Sequence, residues 1–141
     1  MEALHPLLRK AYDPDRFGRL AREVVADLEQ HLRVAQSQDT ERSMPWTSPE
    51  EERAFWEDRL DRPEGLAELM RLVVERSNRL QDPRYMGHQV AVPFPDGVLV
   101  GMVTDLLNNG WAIYEMGPTN SAMEEVLMAR IGRRMGLPKG C

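Results

Sequence analysis

The 141-residue sequence predicts a mostly α-helical chain, and two observations carry that expectation. Apolar residues recur at three- and four-residue steps through several long stretches, the spacing that lines one face of an α-helix. Helix start and stop signals bracket those stretches: Asp13–Pro14, Ser48–Pro49–Glu51, Asp82–Pro83 and Asn108–Asn109–Gly110. A hydrophobic content of 42% beside 29% charged residues is ordinary for a globular protein of one domain.

The first element is expected over residues 13–38. Asp13 caps it, Pro14 occupies its first position, and Phe17, Leu20, Val24, Leu28, Leu32 and Ala35 form one narrow apolar stripe. Arg16, Arg19, Arg22, Glu23, Asp27 and Glu29 lie opposite. Such a helix packs on its own domain or lies across a partner. Residues 39–47 form a linker, in which Trp46 either anchors the linker to the core or plugs a pocket. A capping box from Ser48 to Glu51 starts a helix over 48–60, with Phe55 and Trp56 as its buried contacts. The acidic run Glu50–Glu52 falls in that helix's first turn, where negative charge complements the dipole. A third helix over 63–80 turns Leu66, Leu69, Met70, Val73 and Val74 inward until Asp82–Pro83 stops it.

Beyond Asp82 the character changes. Residues 83–95 follow neither a helical nor a strand period, and Pro93 and Pro95 keep the backbone open, as suits a pocket wall. Residues 96–109 form a helix apolar on most of its circumference, through Val98, Leu99, Met102, Val103, Leu106 and Leu107, and it is expected to be buried. Asn108 to Gly110 supply a left-handed stop. Trp111 to Met116 is a short extended or irregular segment turned by Gly117–Pro118, and a last helix over 120–135 is capped by Ser121 and Glu124.

Charge divides the chain unevenly. Residues 1–82 carry 13 basic and 18 acidic side chains and residues 83–141 carry 5 and 5, so the net charge of −5 falls on the first part. The neutral part holds six of the nine methionines. A sparsely charged half is expected to bury against further sequence or a partner subunit. Mild acidity argues against nucleic acid, which clustered lysine and arginine bind. One cysteine, Cys141, excludes an intrachain disulfide and fits a reducing, cytoplasmic setting. No apolar run is long enough to span a bilayer. His5 and His31 have no second histidine or cysteine at ligand spacing, so no metal site is expected.

The segment DPRYMGH at Asp82–His88 resembles the H-P-R/Y-F/Y-x-x-H/Q/Y element of the group II pyridoxal-phosphate-dependent amino-acid decarboxylases. The later YEMGPTNSAMEE, Tyr114–Glu125, resembles that family's Y-E-x-x-P-x-x-x-x-M-E element, at about the family's separation. The resemblance covers the last third of the chain and includes the aromatic, glutamate and diaminobutyrate decarboxylases. It implies the amino-terminal helical segment of a type I (aspartate aminotransferase-like) fold without the large-domain sheet core. It also implies a homodimer, an amino-acid substrate, and pyridoxal phosphate in the full-length family enzyme but not in this chain alone. In the family, the position matching His88 faces the substrate, which carries a pocket role to His88 and, through its neighbour, to Gln89. Aromatic groups matching Trp111–Tyr114 reach the neighbouring subunit's site, which makes Tyr114 a pocket-wall candidate. Read from the residues alone, a lone histidine in a proline-flanked loop is a structural hydrogen-bonder, and an aromatic such as Tyr114 is core.

Covalent pyridoxal chemistry requires a lysine amine in a dry pocket. The two lysines are Lys10, in a polar stretch, and Lys139, between Pro138 and Gly140. Neither suits the role, so catalytic and cofactor-binding residues are not expected in this chain. Two alternatives stand beside the amino-terminal segment of such an enzyme: a split-enzyme subunit that needs a separate lysine-bearing chain, and a stand-alone helical protein-interaction module.

Overall fold

The computed structural model describes residues 5–62, 65–87, 89–110 and 112–138. Among the described residues, six α-helices and one 3-10 turn account for the regular structure and no strand occurs. The chain divides into two compact units, Met1–Val92 and Pro93–Cys141.

In the first unit, α1 (Pro6–Ala11) is a short helix that the periodicity did not announce. The His5 imidazole accepts from the Leu7 amide at 3.3 Å at its start, and Arg9 and Lys10 lie in its last turn. Helix α2 (Pro14–Ser37) has the expected cap, with the Asp13 carboxylate accepting from the Asp15 amide at 3.0 Å. It ends at Gln38, which takes the left-handed conformation (φ 60°). Helix α3 (Pro49–Leu60) has both halves of its capping box: the Glu51 amide donates to Ser48 Oγ at 3.2 Å, and the Ser48 amide donates to the Glu51 carboxylate at 3.0 Å. Helix α4 covers Leu66–Arg76. It stops well short of Asp82, because Ser77 turns extended (ψ 151°) and its hydroxyl takes the Val73 carbonyl at 2.6 Å.

The core of this unit is where α2 packs on α4. Ala35 is fully buried and Leu72 is 8% exposed. Leu69 and Val74 are half-buried, whereas Leu66, Met70 and Val73, expected inward, face solvent. The inward stripe of α4 is therefore centred on Leu72. Along α2, the stripe from Leu20 to Leu32 is half-buried and Phe17 is exposed, so the helix packs on its own unit through its carboxyl-terminal half.

Polar contacts join what this small core does not. Glu52 of α3 receives the Arg76 guanidinium of α4, the Thr47 hydroxyl at 2.8 Å and the Trp56 indole N–H at 2.7 Å. Phe55 stands edge-on to Trp56 with ring centres 5.2 Å apart, and the Arg76 guanidinium lies 3.9 Å above the Phe55 ring centre. Glu52 thus does more than complement the helix dipole: it joins two helices.

In the second unit, α5 covers Pro95–Leu107 and stops at Asn108 in the left-handed region (φ 44°), as its Asn-Asn-Gly sequence predicts. A 3-10 turn, Tyr114–Met116, leads into α6, Pro118–Arg134, against which it packs. The last helix begins two residues early. Gly117 is its cap, and Ser121 lies inside it, its hydroxyl donating to the Gly117 carbonyl at 3.1 Å, so the expected Ser121–Glu124 capping box does not form. The burial expected of α5 is also absent: its larger apolar residues, Val98 to Leu107, are 43–64% exposed. The only described residue of this unit classed as buried is Gly117. The apolar residues of α5 thus form no buried core in this unit.

Candidate functional site

The segment that leaves the helical unit is fixed by one buried carboxylate. Asp82 is 2% exposed, and the Arg84 guanidinium grips both its oxygens, Nε to Oδ1 at 3.0 Å and Nη2 to Oδ2 at 2.7 Å. The Arg84 amide donates to the same Oδ1 at 2.9 Å, and the Tyr85 amide donates to the Asp82 carbonyl at 2.9 Å. Pro83 removes the one amide in between that would otherwise need a partner. Arg84 holds the Asp82 carboxyl below the usual carboxylate range, through its side chain first and its amide second.

The clamp reaches the linker. Arg84 Nη2 also donates to the Thr40 carbonyl at 3.0 Å, the Arg79 amide donates to the Ser43 carbonyl at 2.9 Å, and Arg79 Nη1 donates to the Arg42 carbonyl at 3.1 Å. The linker is thus braced against the turn that precedes the candidate pocket segment. Past the clamp, the Tyr85 ring folds over Gly87: a Cβ added there would sit 2.3 Å from the Tyr85 hydroxyl.

Gln89 is exposed in this segment, and His88 lies outside the described residues. Tyr114 belongs to the second unit, where it opens the 3-10 turn and is 62% exposed, which removes its reading as a core aromatic. Its loop closes on itself through glycine. A Cβ on Gly117 would stand 2.5 Å from the Gly110 carbonyl oxygen, and one on Gly110 would stand 2.5 Å from Met116 Cε. This close approach leaves Ile113 and Tyr114 facing outward.

Clefts among the described residues of the first unit include the following two. One, of about 160 Å³, runs between α2 and α4 and is lined by Asp27, Gln30, His31, Val34, Arg71, Val74, Glu75 and Arg79. Burial lowers the His31 pKa, and the Arg79 charge lowers it further. Arg71 in that wall is engaged by Glu68 and Glu75. The other, of about 360 Å³, is lined by Glu41, Arg42, Ser43, Met44, Trp46 and Arg84. Trp46 is 68% exposed there and does not anchor the linker. The hydrogen bonds of Arg79 and Arg84 do so instead. Neither Gln89 nor Tyr114 lines these clefts.

Among the described residues, no group of three or more His, Cys, Asp or Glu side chains could hold a metal ion, and no helix is long and apolar enough to cross a membrane. The described lysine, Lys10, is exposed at the end of α1, which is not the dry pocket that covalent pyridoxal chemistry needs. Lys139 lies outside the described residues, and no chemical step follows from the described ones. The Asp82–Arg84 clamp was the site feature that sequence reasoning missed. Its signal was an Asp-x-Arg spacing across a proline, read only as a helix stop. No protein-family model matches the chain, and no match is found among curated proteins or solved structures.

Proposed function

We propose that this chain is the amino-terminal part of a pyridoxal-phosphate-dependent L-amino-acid decarboxylase, which contributes subunit interface and substrate-side residues and leaves the chemistry to a lysine-bearing region. The observation that carries the reading is the state of Pro95–Arg134, which bears most of the resemblance: the largely apolar α5 and the Met, Val, Leu and Ile side chains of α6 are exposed, and the loop between the two helices points Tyr114 outward. Helices so built need a large apolar surface to cover them, and a decarboxylase body or second subunit supplies one. His88, Gln89 and Tyr114 are the proposed substrate-side residues, with Gln89 and Tyr114 both open to an incoming group. The cofactor would supply the electron sink for loss of the substrate carboxylate as carbon dioxide. A cytoplasmic setting belongs to the same reading, supported by the single cysteine.

A chimera tests it: residues 82–128 replace the matching segment of a pyridoxal-phosphate-dependent amino-acid decarboxylase. The expected product dimerises, keeps its cofactor absorbance and releases carbon dioxide. His88→Ala in that chimera should then lower kcat/KM by about one to two orders of magnitude, the loss of one hydrogen bond to a charged group, while cofactor absorbance is retained. A chimera that dimerises and binds cofactor but releases no carbon dioxide defeats the substrate-side reading. It would favour a helical interaction module.

A further inference from the structure

We propose that Asp82 and Arg84 are positioning residues, which set the course on which the chain enters the Tyr85–Val92 segment and so determine how Gln89 is presented. The inference rests on the reading of that segment as a substrate-side wall, and its geometric half stands without it.

A carboxylate buried as deeply as Asp82 is stable only when its charge is paired and its lone pairs are filled. Three donors do so here, and all three belong to Arg84: its amide, Nε and Nη2. The buried group therefore dictates the backbone two residues on. An arginine whose amide and fork bind one carboxylate has little freedom left, and Nη2 spends its remaining capacity on the Thr40 carbonyl at 3.0 Å. Without that outer contact the turn would be a local knot. With it, the turn is registered against the linker that follows α2, and Arg79 adds two further bonds to the carbonyls of Arg42 and Ser43.

Beyond this turn, no comparable support occurs among the described residues up to Phe94. Residues 89–94 form no helix or strand and are exposed. The direction of such a segment is set where it leaves the fixed structure, at Arg84 and Tyr85. The fold over Gly87 adds a second constraint, because the Tyr85 ring occupies the space of a Cβ there. A one-residue displacement at the exit would move Gln89 by about 3 Å, enough to break a hydrogen bond to substrate.

Hydrogen exchange on the full chain tests the clamp. In Asp82→Asn, which keeps the shape and removes the charge, exchange of the Arg84 and Tyr85 amides should quicken by tenfold or more, while the amides of α2 and α4 keep their rates. Arg84→Lys, which keeps the charge and loses the fork, should give a smaller increase at the same two amides. Unchanged exchange there in both variants overturns the proposal, and so does a uniform increase that includes α2 and α4, since that marks a residue important only for stability. A second measurement follows the Gln89 side-chain amide by NMR during titration with a panel of L-amino acids. A response in the natural chain that Asp82→Asn weakens at least severalfold is the expected result. If the two backbone amides respond as stated but Gln89 answers to no amino acid, the substrate-side part falls while the clamp stands.

Discussion

At His31 the physics of a half-buried imidazole fixes a sign. The side chain lies on α2 one turn before the buried Ala35, in the cleft against α4, where burial first and the Arg79 charge second disfavour its protonated form. Asp27 on its own helix and Glu75 across the cleft also line it, and Glu75 is engaged by Arg71. With its folded pKa below the ordinary 6.5, His31 binds its proton more readily unfolded, so its contribution is complete above about pH 6.5 and is lost as pH falls below it. Thermal melts of the natural chain and His31→Gln, at about pH 7.5 and again at about pH 5.5, should show the natural chain losing more Tm on acidification than the variant. Glu52 titrates lower. Arg76, and after it Thr47, hold its carboxyl down to about 2 from 4.5, so its contribution is present above about pH 4.5 and disappears as pH falls towards 2. Glu52→Gln should flatten that acid limb. At neutral pH it should lower Tm by roughly 4–8 °C, the change that about one lost interaction produces in a domain this small. An acid titration with the same slope in both proteins would contradict the role given to Glu52.

At the scale of the element, the α2–α4 contact shows which parts of the fold the residues declare. Five helices were legible because their signals are local: Asp13–Pro14, the Ser48–Glu51 box and the left-handed Asn108 each act within one turn. Helix faces were less legible. Adjacent positions on a helix point about 100° apart, so the apolar cluster from Leu69 to Val74 allows more than one inward line, and tertiary contact chose Leu72 over Val73. The clamp was hidden for a related reason, since Arg84 ties the Asp82 turn to the linker only once the Thr40 carbonyl arrives from a distant part of the chain. These assignments predict a contrast between neighbours. Leu72→Ala should destabilise the unit by about 2–3 kcal/mol, as cavity-forming core truncations do, whereas Val73→Ala should stay within about 0.5 kcal/mol. Urea denaturation of both variants checks it, and equal losses would mean that α4 presents a different face.

For the whole molecule, the unequal distribution of charge and the exposure of α5 and α6 have one physical consequence. A nearly neutral unit in which Val98, Leu99, Met102, Val103, Leu106 and Leu107 meet water on one helix, and Met123, Val126, Leu127, Met128 and Ile131 on the next, exposes many large apolar side chains that a monomer ordinarily keeps covered. Burial of such surface is worth roughly 25 cal/mol per Å², and a stable interface needs about 800 Å² from each partner. The full chain by itself should therefore self-associate at micromolar concentration, with an apparent Tm that rises with protein concentration. Because α5 contributes nothing to the buried core of its unit, Val103→Asp and Leu106→Asp remove apolar surface without opening a cavity. Together they should shift sedimentation towards the monomer and leave the helical circular dichroism nearly unchanged. A natural chain that sediments as a compact, stable monomer at that concentration, with a Tm independent of dilution, would show that these helices are covered by surface of their own chain. It would remove both the interface and the argument from exposure on which the decarboxylase reading rests.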